Sequence, residues 1–249
     1  MRLALTALYA VLVIAASFAF WQFRGAAQPQ SGEEKMAAND SWQAARAKHL
    51  ETHMDAFGYK TSWIALKADS TASIANALQL SDTQPVDWNG GIALGYEAVR
   101  LGNRRMFVSG LFDGWYFVLG DIPEPTNEIE AFDKLMGSLT AVSPDVQYFI
   151  SNRVGDGYGW VRYRDRKQTR RVIWYSGEAH FEHGKPDDLE NSVIKSWEVF
   201  DDGNGPYTLG PDEDDVLKIA KGWSLDPSLI DRPKTDVTVG IAGVMPKAE

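Results

Sequence analysis

The sequence predicts an α+β domain, mainly an antiparallel sheet with flanking helices, preceded by one N-terminal transmembrane or signal-anchor helix. Three observations predict it. An uncharged apolar run of 21 residues, Leu3 to Phe23, opens the chain. Behind it, strand-like runs follow one another at hairpin spacing, separated by Gly- and Asp-rich turns. Between them lie segments whose apolar residues recur at helical spacing, so strands and helices are mixed, with connections too short for regular crossovers. The chain divides into a targeting segment 1–27, a linker 28–40 and one domain over 41–249.

At about 1.5 Å per residue, Leu3 to Phe23 spans roughly 31 Å as a helix, enough to cross a bilayer core. Arg2 and Arg24 flank it, and Trp21 and Phe23 stand where an interfacial aromatic belt would. A cleaved signal peptide is the competing reading, with Gly25-Ala26-Ala27 as the small-residue cleavage site. Both export the remainder; a third reading, a buried helix of a soluble domain, does not. Arg2 and the free amine favour a cytoplasmic N-terminus, while Arg24 opposes it. The expected location is the bacterial inner membrane, single-pass, with the soluble domain in the periplasm.

Gln28 to Asn39 is small and polar, as a linker is. Asn39, Asp40 and Ser41 offer an N-cap for a helix to Phe57, with Leu50, Met54 and Phe57 as its stripe and Gly58 as its stop. Thr61 to Ala68 is apolar on both faces, as a central strand would be. Ser70 to Leu78 reads as a short helix, and 105–110 with 114–119 as a hairpin around Phe112-Asp113. Asn127 and Glu130 form a capping box for a helix carrying Ile129, Phe132, Met136 and Leu139. Strands follow at 146–153, 159–165 and 170–176, joined by turns at Gly155-Asp156-Gly157 and Asp165-Arg166-Lys167. A last helix after Gly210-Pro211 places Val216, Ile219, Ala220 and Trp223 on one stripe.

Composition narrows function by exclusion. With 34 acidic against 25 basic residues, the net charge of −9 argues against general nucleic-acid binding. The absence of Cys excludes thiolate metal sites, a disulfide scaffold and a lipoprotein anchor. His49 and His53 are spaced to share a helix face, and His180, Glu182 and His183 could join them, but the pattern is not that of a zincin. The expectation is no metal and no cofactor. The glycines of Gly155, Gly157 and Gly159 lead into a strand, whereas a phosphate loop leads into a helix. Asp201-Asp202-Gly203-Asn204-Gly205 lacks the ligand spacing of a calcium loop. The acidic pairs Asp113/Asp121 and Glu178/Glu182 would serve hydrolysis only if folded to within about 5–10 Å. No catalytic residue stands out.

Charge asymmetry remains. Residues 153–171 hold seven basic side chains against two acidic, and 187–215 hold ten acidic against one basic. Arginine interleaved with aromatics is the composition of interface hot spots. The candidate partner-binding residues are therefore Asp201, Asp202, Asp212, Glu213, Asp214, Asp215, Arg162, Arg164 and Trp160. Three plainer readings compete: a solvated strand face at Arg162 and Arg164, helix-dipole pairing at Asp212 to Asp215, and pairing of the two segments with each other.

GYKTSWIALK at 58–67, SGLFDGWYFVLGD at 109–121, GYGWVRYRD and RRVIWYSGE within 157–178, and DEDDVLKIAKGWSLDP at 212–227 occur in this order. Together they resemble a family of uncharacterised bacterial α+β proteins, some of them immunity-type proteins found beside secreted toxins. The resemblance implies a non-enzymatic binding protein with a protein partner, a toxin in that setting, and brings no catalytic residue. An exported hydrolase with an unrecognised carboxylate or histidine site, or a structural envelope component, are the alternatives.

Overall fold

The computed structural model describes residues 46–194, 199–201, 206–208 and 210–247. The expected anchor, the linker, the N-cap at 39–41 and Asp202 lie outside them. The chain divides into two units, Met1–His49 and Leu50–Glu249. Of the first, only 46–49 are described, and they are helical. No helix among the described residues is long and apolar enough to cross a membrane.

The second unit is built on one nine-stranded sheet in the order β2-β11-β3-β4-β1-β5-β6-β7-β8. Its strands are β1 (Thr61–Leu66), β2 (Ser81–Val86), β3 (Arg105–Val108), β4 (Tyr116–Gly120), β5 (Asp145–Asn152), β6 (Gly157–Arg164), β7 (Lys167–Tyr175), β8 (Glu178–His183) and β11 (Gly240–Val244). All of its pairings are antiparallel. A separate hairpin joins β9 (Val199–Asp201) to β10 (Pro206–Thr208). The helices are α1 (Thr71–Ala77), α2 (Trp88–Leu101), α3 (Ile129–Leu139), α4 (Asp188–Ile194) and α5 (Glu213–Trp223). The α+β class and its large antiparallel sheet are as the sequence predicts.

Helices cover both faces. Trp63 and Ala65 of β1 point to one side with Phe117, Leu119, Phe149 and Trp160, under α2, α4 and α5. Ile64 and Leu66 point to the other with Val118, Tyr148 and Val161, under α1 and α3. β1 is the middle strand, so its continuous apolar run is what two covered faces demand. The hairpins close on pairs with positive φ: Asp113 (48°) with Gly114 (82°), Asp165 (47°) with Arg166 (66°), and Ser176 (52°) with Gly177 (75°). Such pairs match the strand twist of two-residue turns.

Two local expectations are corrected. Helix ends at residue 52 rather than Phe57. From there the chain runs extended along 227–233: His53 bridges Pro233, and the Met54 N–H donates to the Arg232 carbonyl at 2.7 Å. Met54 and Phe57 are buried through that pairing, not as a helical stripe. α3 is capped by Glu128 with no side-chain cap bond. Asn127 instead donates to the Glu124 carboxylate at 2.7 Å, and Ile129 stays outside the core, its place on the stripe taken by Leu135. As the sequence predicts, the glycines near 155 form a turn and the start of β6, with no helix after them.

α2, the longest helix among the described residues, has no counterpart in the sequence reading. Asp87 caps it by accepting from the Gly90 N–H at 2.8 Å, and Gly102 ends it at φ 58°. Its three glycines lower helix propensity. They also let it lie close on the sheet: a Cβ on Gly91 would stand 2.2 Å from the Phe107 ring, and one on Gly95 2.8 Å from Leu119.

Candidate functional site

The charged segments 153–171 and 187–215 meet at one end of the sheet, where β6 and β7 lie under α4 and α5. Of the four arginines on β6 and β7, Arg162, Arg170 and Arg171 turn inward, because both faces of the sheet are covered. Arg162 donates to both oxygens of Asp145, at 3.0 and 2.7 Å, and stacks 4.9 Å from the centre of the Trp223 ring. Arg170 donates to Glu190 at 2.7 Å and to the carbonyls of His183 and Gly184 at 3.2 and 2.8 Å. The Trp160 indole N–H donates to the same Glu190 oxygen at 2.7 Å. Arg153 reaches Glu213 at 3.4 Å.

Two segments of opposite sign thus pair with each other in part, through Arg170–Glu190 and Arg153–Glu213. Trp160 is fully enclosed and Arg162 is 8% exposed, so both are committed to the interior rather than to an outward surface. The solvated-face reading of Arg162 fails for the same reason. Asp215 is also interior, at 5% exposure. It closes a capping box with Asp212, whose carboxylate accepts from the Asp215 N–H at 2.9 Å. Asp215 also holds Lys218 at 3.0 Å, and that hydrogen bond raises the lysine pKa.

What faces outward is smaller. Asp212 and Asp214 are exposed at the start of α5, Glu213 is half-buried, and Asp201 lies in β9. Arg164, Arg166 and Lys167 are exposed at the β6–β7 turn. Tyr158 stands beside the α5 start. Partial burial raises its pKa, with help from the charges of Asp156, Glu213 and Asp212.

His53 hydrogen-bonds its neighbour Thr52 at 2.9 Å, and its carbonyl accepts from Asn89 at 2.9 Å. His180 and His183 lie on β8 at the sheet edge, His180 edge-on to Tyr175 with ring centres 6.0 Å apart. Sequence reasoning missed Asp145, Glu190 and Asp187, the last of which accepts from the Trp223 indole at 2.8 Å. A signal was present: inward-turning arginines need buried acids. Comparison with family models, curated proteins and solved structures finds no match.

Proposed function

We propose that this is a membrane-anchored, non-enzymatic binding protein, tethered by residues 3–23, whose domain faces the periplasm and docks a protein partner. Toxin immunity is the setting this reading favours. One observation carries it: after internal pairing, the exposed charge left at the start of α5 is the acidic pair Asp212 and Asp214. That surface suits a basic partner. Opposed charges of this kind steer encounter and set register more than they add affinity.

Asp214→Lys is the clean test, because Asp215 caps the helix and Glu213 holds Arg153. Cells carrying the full chain are challenged with the secreted toxin encoded beside its gene. Asp214→Lys should slow association with that toxin and weaken protection, with an unchanged unfolding temperature. A reporter active only in the cytoplasm, fused after Glu249, should stay silent. No neighbouring toxin, or protection unaltered by the reversal, overturns the docking reading; a bright reporter overturns the topology.

A further inference from the structure

A groove opens on the opposite sheet face from α5, between α1, α3 and the chain that follows β11. Its volume is about 160 Å³, close to the roughly 150 Å³ of an apolar cavity that accepts a benzene ring. Leu78, Pro123, Leu135 and Met245 supply an apolar floor, and Leu78 and Leu135 are buried members of the core beneath. Lys134 and Lys247 stand exposed at the rim. Among the described residues the lining carries no carboxylate, in a chain with 34 acidic residues.

The two features ask for one kind of ligand. An inorganic anion would leave the apolar floor wet, and a neutral hydrocarbon would leave the two rim lysines unused. We propose that this groove binds a small aromatic or short-chain carboxylate, its apolar end on Leu78, Leu135 and Met245 and its carboxylate between Lys134 and Lys247. The size limits the apolar end to about one six-membered ring. The rim lysines are exposed, so each contributes at most about fivefold to affinity, and binding is weak and salt-sensitive.

The probes are phenylacetate and its neutral counterpart benzyl alcohol, titrated into the full chain in detergent with labelled methionine methyls. The chain has six methionines, and Met245→Leu identifies the one that matters. Phenylacetate should move the Met245 methyl signal saturably and leave the other methyls in place. Benzyl alcohol should bind several-fold more weakly. Lys134→Glu with Lys247→Glu should weaken phenylacetate about tenfold or more, and Ser138→Trp should close the groove. No saturable shift up to about 10 mM, equal binding of the alcohol, or indifference to the double reversal overturns the proposal. If Ser138→Trp fails to fold, the double reversal at exposed positions still decides it.

Discussion

The two faces of the sheet are packed with different aromatic residues. Trp63, Trp88, Trp115, Trp160 and Trp223 all belong to the core under α2, α4 and α5. Tyr116, Tyr148 and Tyr163 belong to the core under α1 and α3, joined at its edge by Tyr175. Arg170 and Arg171, neighbours on β7, send one guanidinium to each face, so the same problem is solved twice. On the tryptophan side, Arg170 meets a carboxylate as buried as itself: the side chains of Arg170 and Glu190 are 4% and 2% exposed. On the tyrosine side, Arg171 meets Asp133, whose side chain is 45% exposed. It adds the Pro125 carbonyl at 2.8 Å and the rings of Phe132 and Phe181 at 5.1 and 4.9 Å. One face buries a full ion pair, while the other spreads a single charge over a carbonyl, two rings and a wet carboxylate.

The largest expected effect follows from that difference. Glu190→Ala leaves Arg170 buried with two carbonyls and the exposed Glu182, and frees the Trp160 indole N–H. Breaking a buried pair on one side costs about 3–5 kcal/mol. Asp133→Asn keeps an acceptor beside Arg171 and should cost about 1 kcal/mol or less. Denaturant titration of both variants sharpens the contrast, and equal losses would break it.

Between these lies a substitution whose sign should differ between the faces. Gly91→Ala in α2 forces a Cβ against the Phe107 ring, which is wholly buried. Overpacking of this kind costs about 1–3 kcal/mol, more than the alanine gains in helix propensity. Gly137→Ala in α3 meets nothing within 4 Å and should stabilise by about 0.5–1 kcal/mol. Thermal melts of the pair read both signs. A stabilising Gly91→Ala would mean that α2 does not pack as closely as its glycines allow.

How much of this was legible depended on whether local pattern carried the information. β1 and the β5–β7 strands announced themselves because long apolar runs and turn pairs such as Asp165-Arg166 have few other uses. α5 did so through the Gly210-Pro211 break, the acidic residues at its start and its apolar stripe. α2 hid because Gly90, Gly91 and Gly95 oppose helix, and their reason is a sheet that no local window contains. β2 and β8 are polar edge strands; one carries Pro85 and the other a bulge near Ala179, devices that guard an edge and erase its alternation. The candidate site was half legible. Excess charge in 153–171 and 187–215 was plain, but Glu190 lies 20 residues from Arg170 in sequence, so their closure had to come from the fold.

The smallest effect is absent at neutral pH and appears only in alkali, and it belongs to the tyrosine face. Burial pushes Tyr163 up to about 12, with the Asp133 charge adding to it, and burial pushes Tyr175 up to about 12, with Glu124 adding. Tyr148 is raised for the same first reason. The folded domain therefore keeps these phenols protonated where an unfolded chain, titrating near pH 10, would release them. The resulting stability is whole below about pH 10 and is lost as pH rises through about 12. Melting temperature should hold level to about pH 10 and then fall, and Tyr175→Phe should make that fall shallower. Asp133→Asn should lower the Tyr163 titration and so start it earlier. The tryptophans among the described residues lie on the other face, so their emission is an independent witness. If the domain is one cooperative unit, tyrosinate absorbance from Tyr163 and Tyr175 and the red shift of tryptophan emission will appear together. Full ionisation of both tyrosines while the tryptophan face keeps its native emission would show that the faces come apart separately.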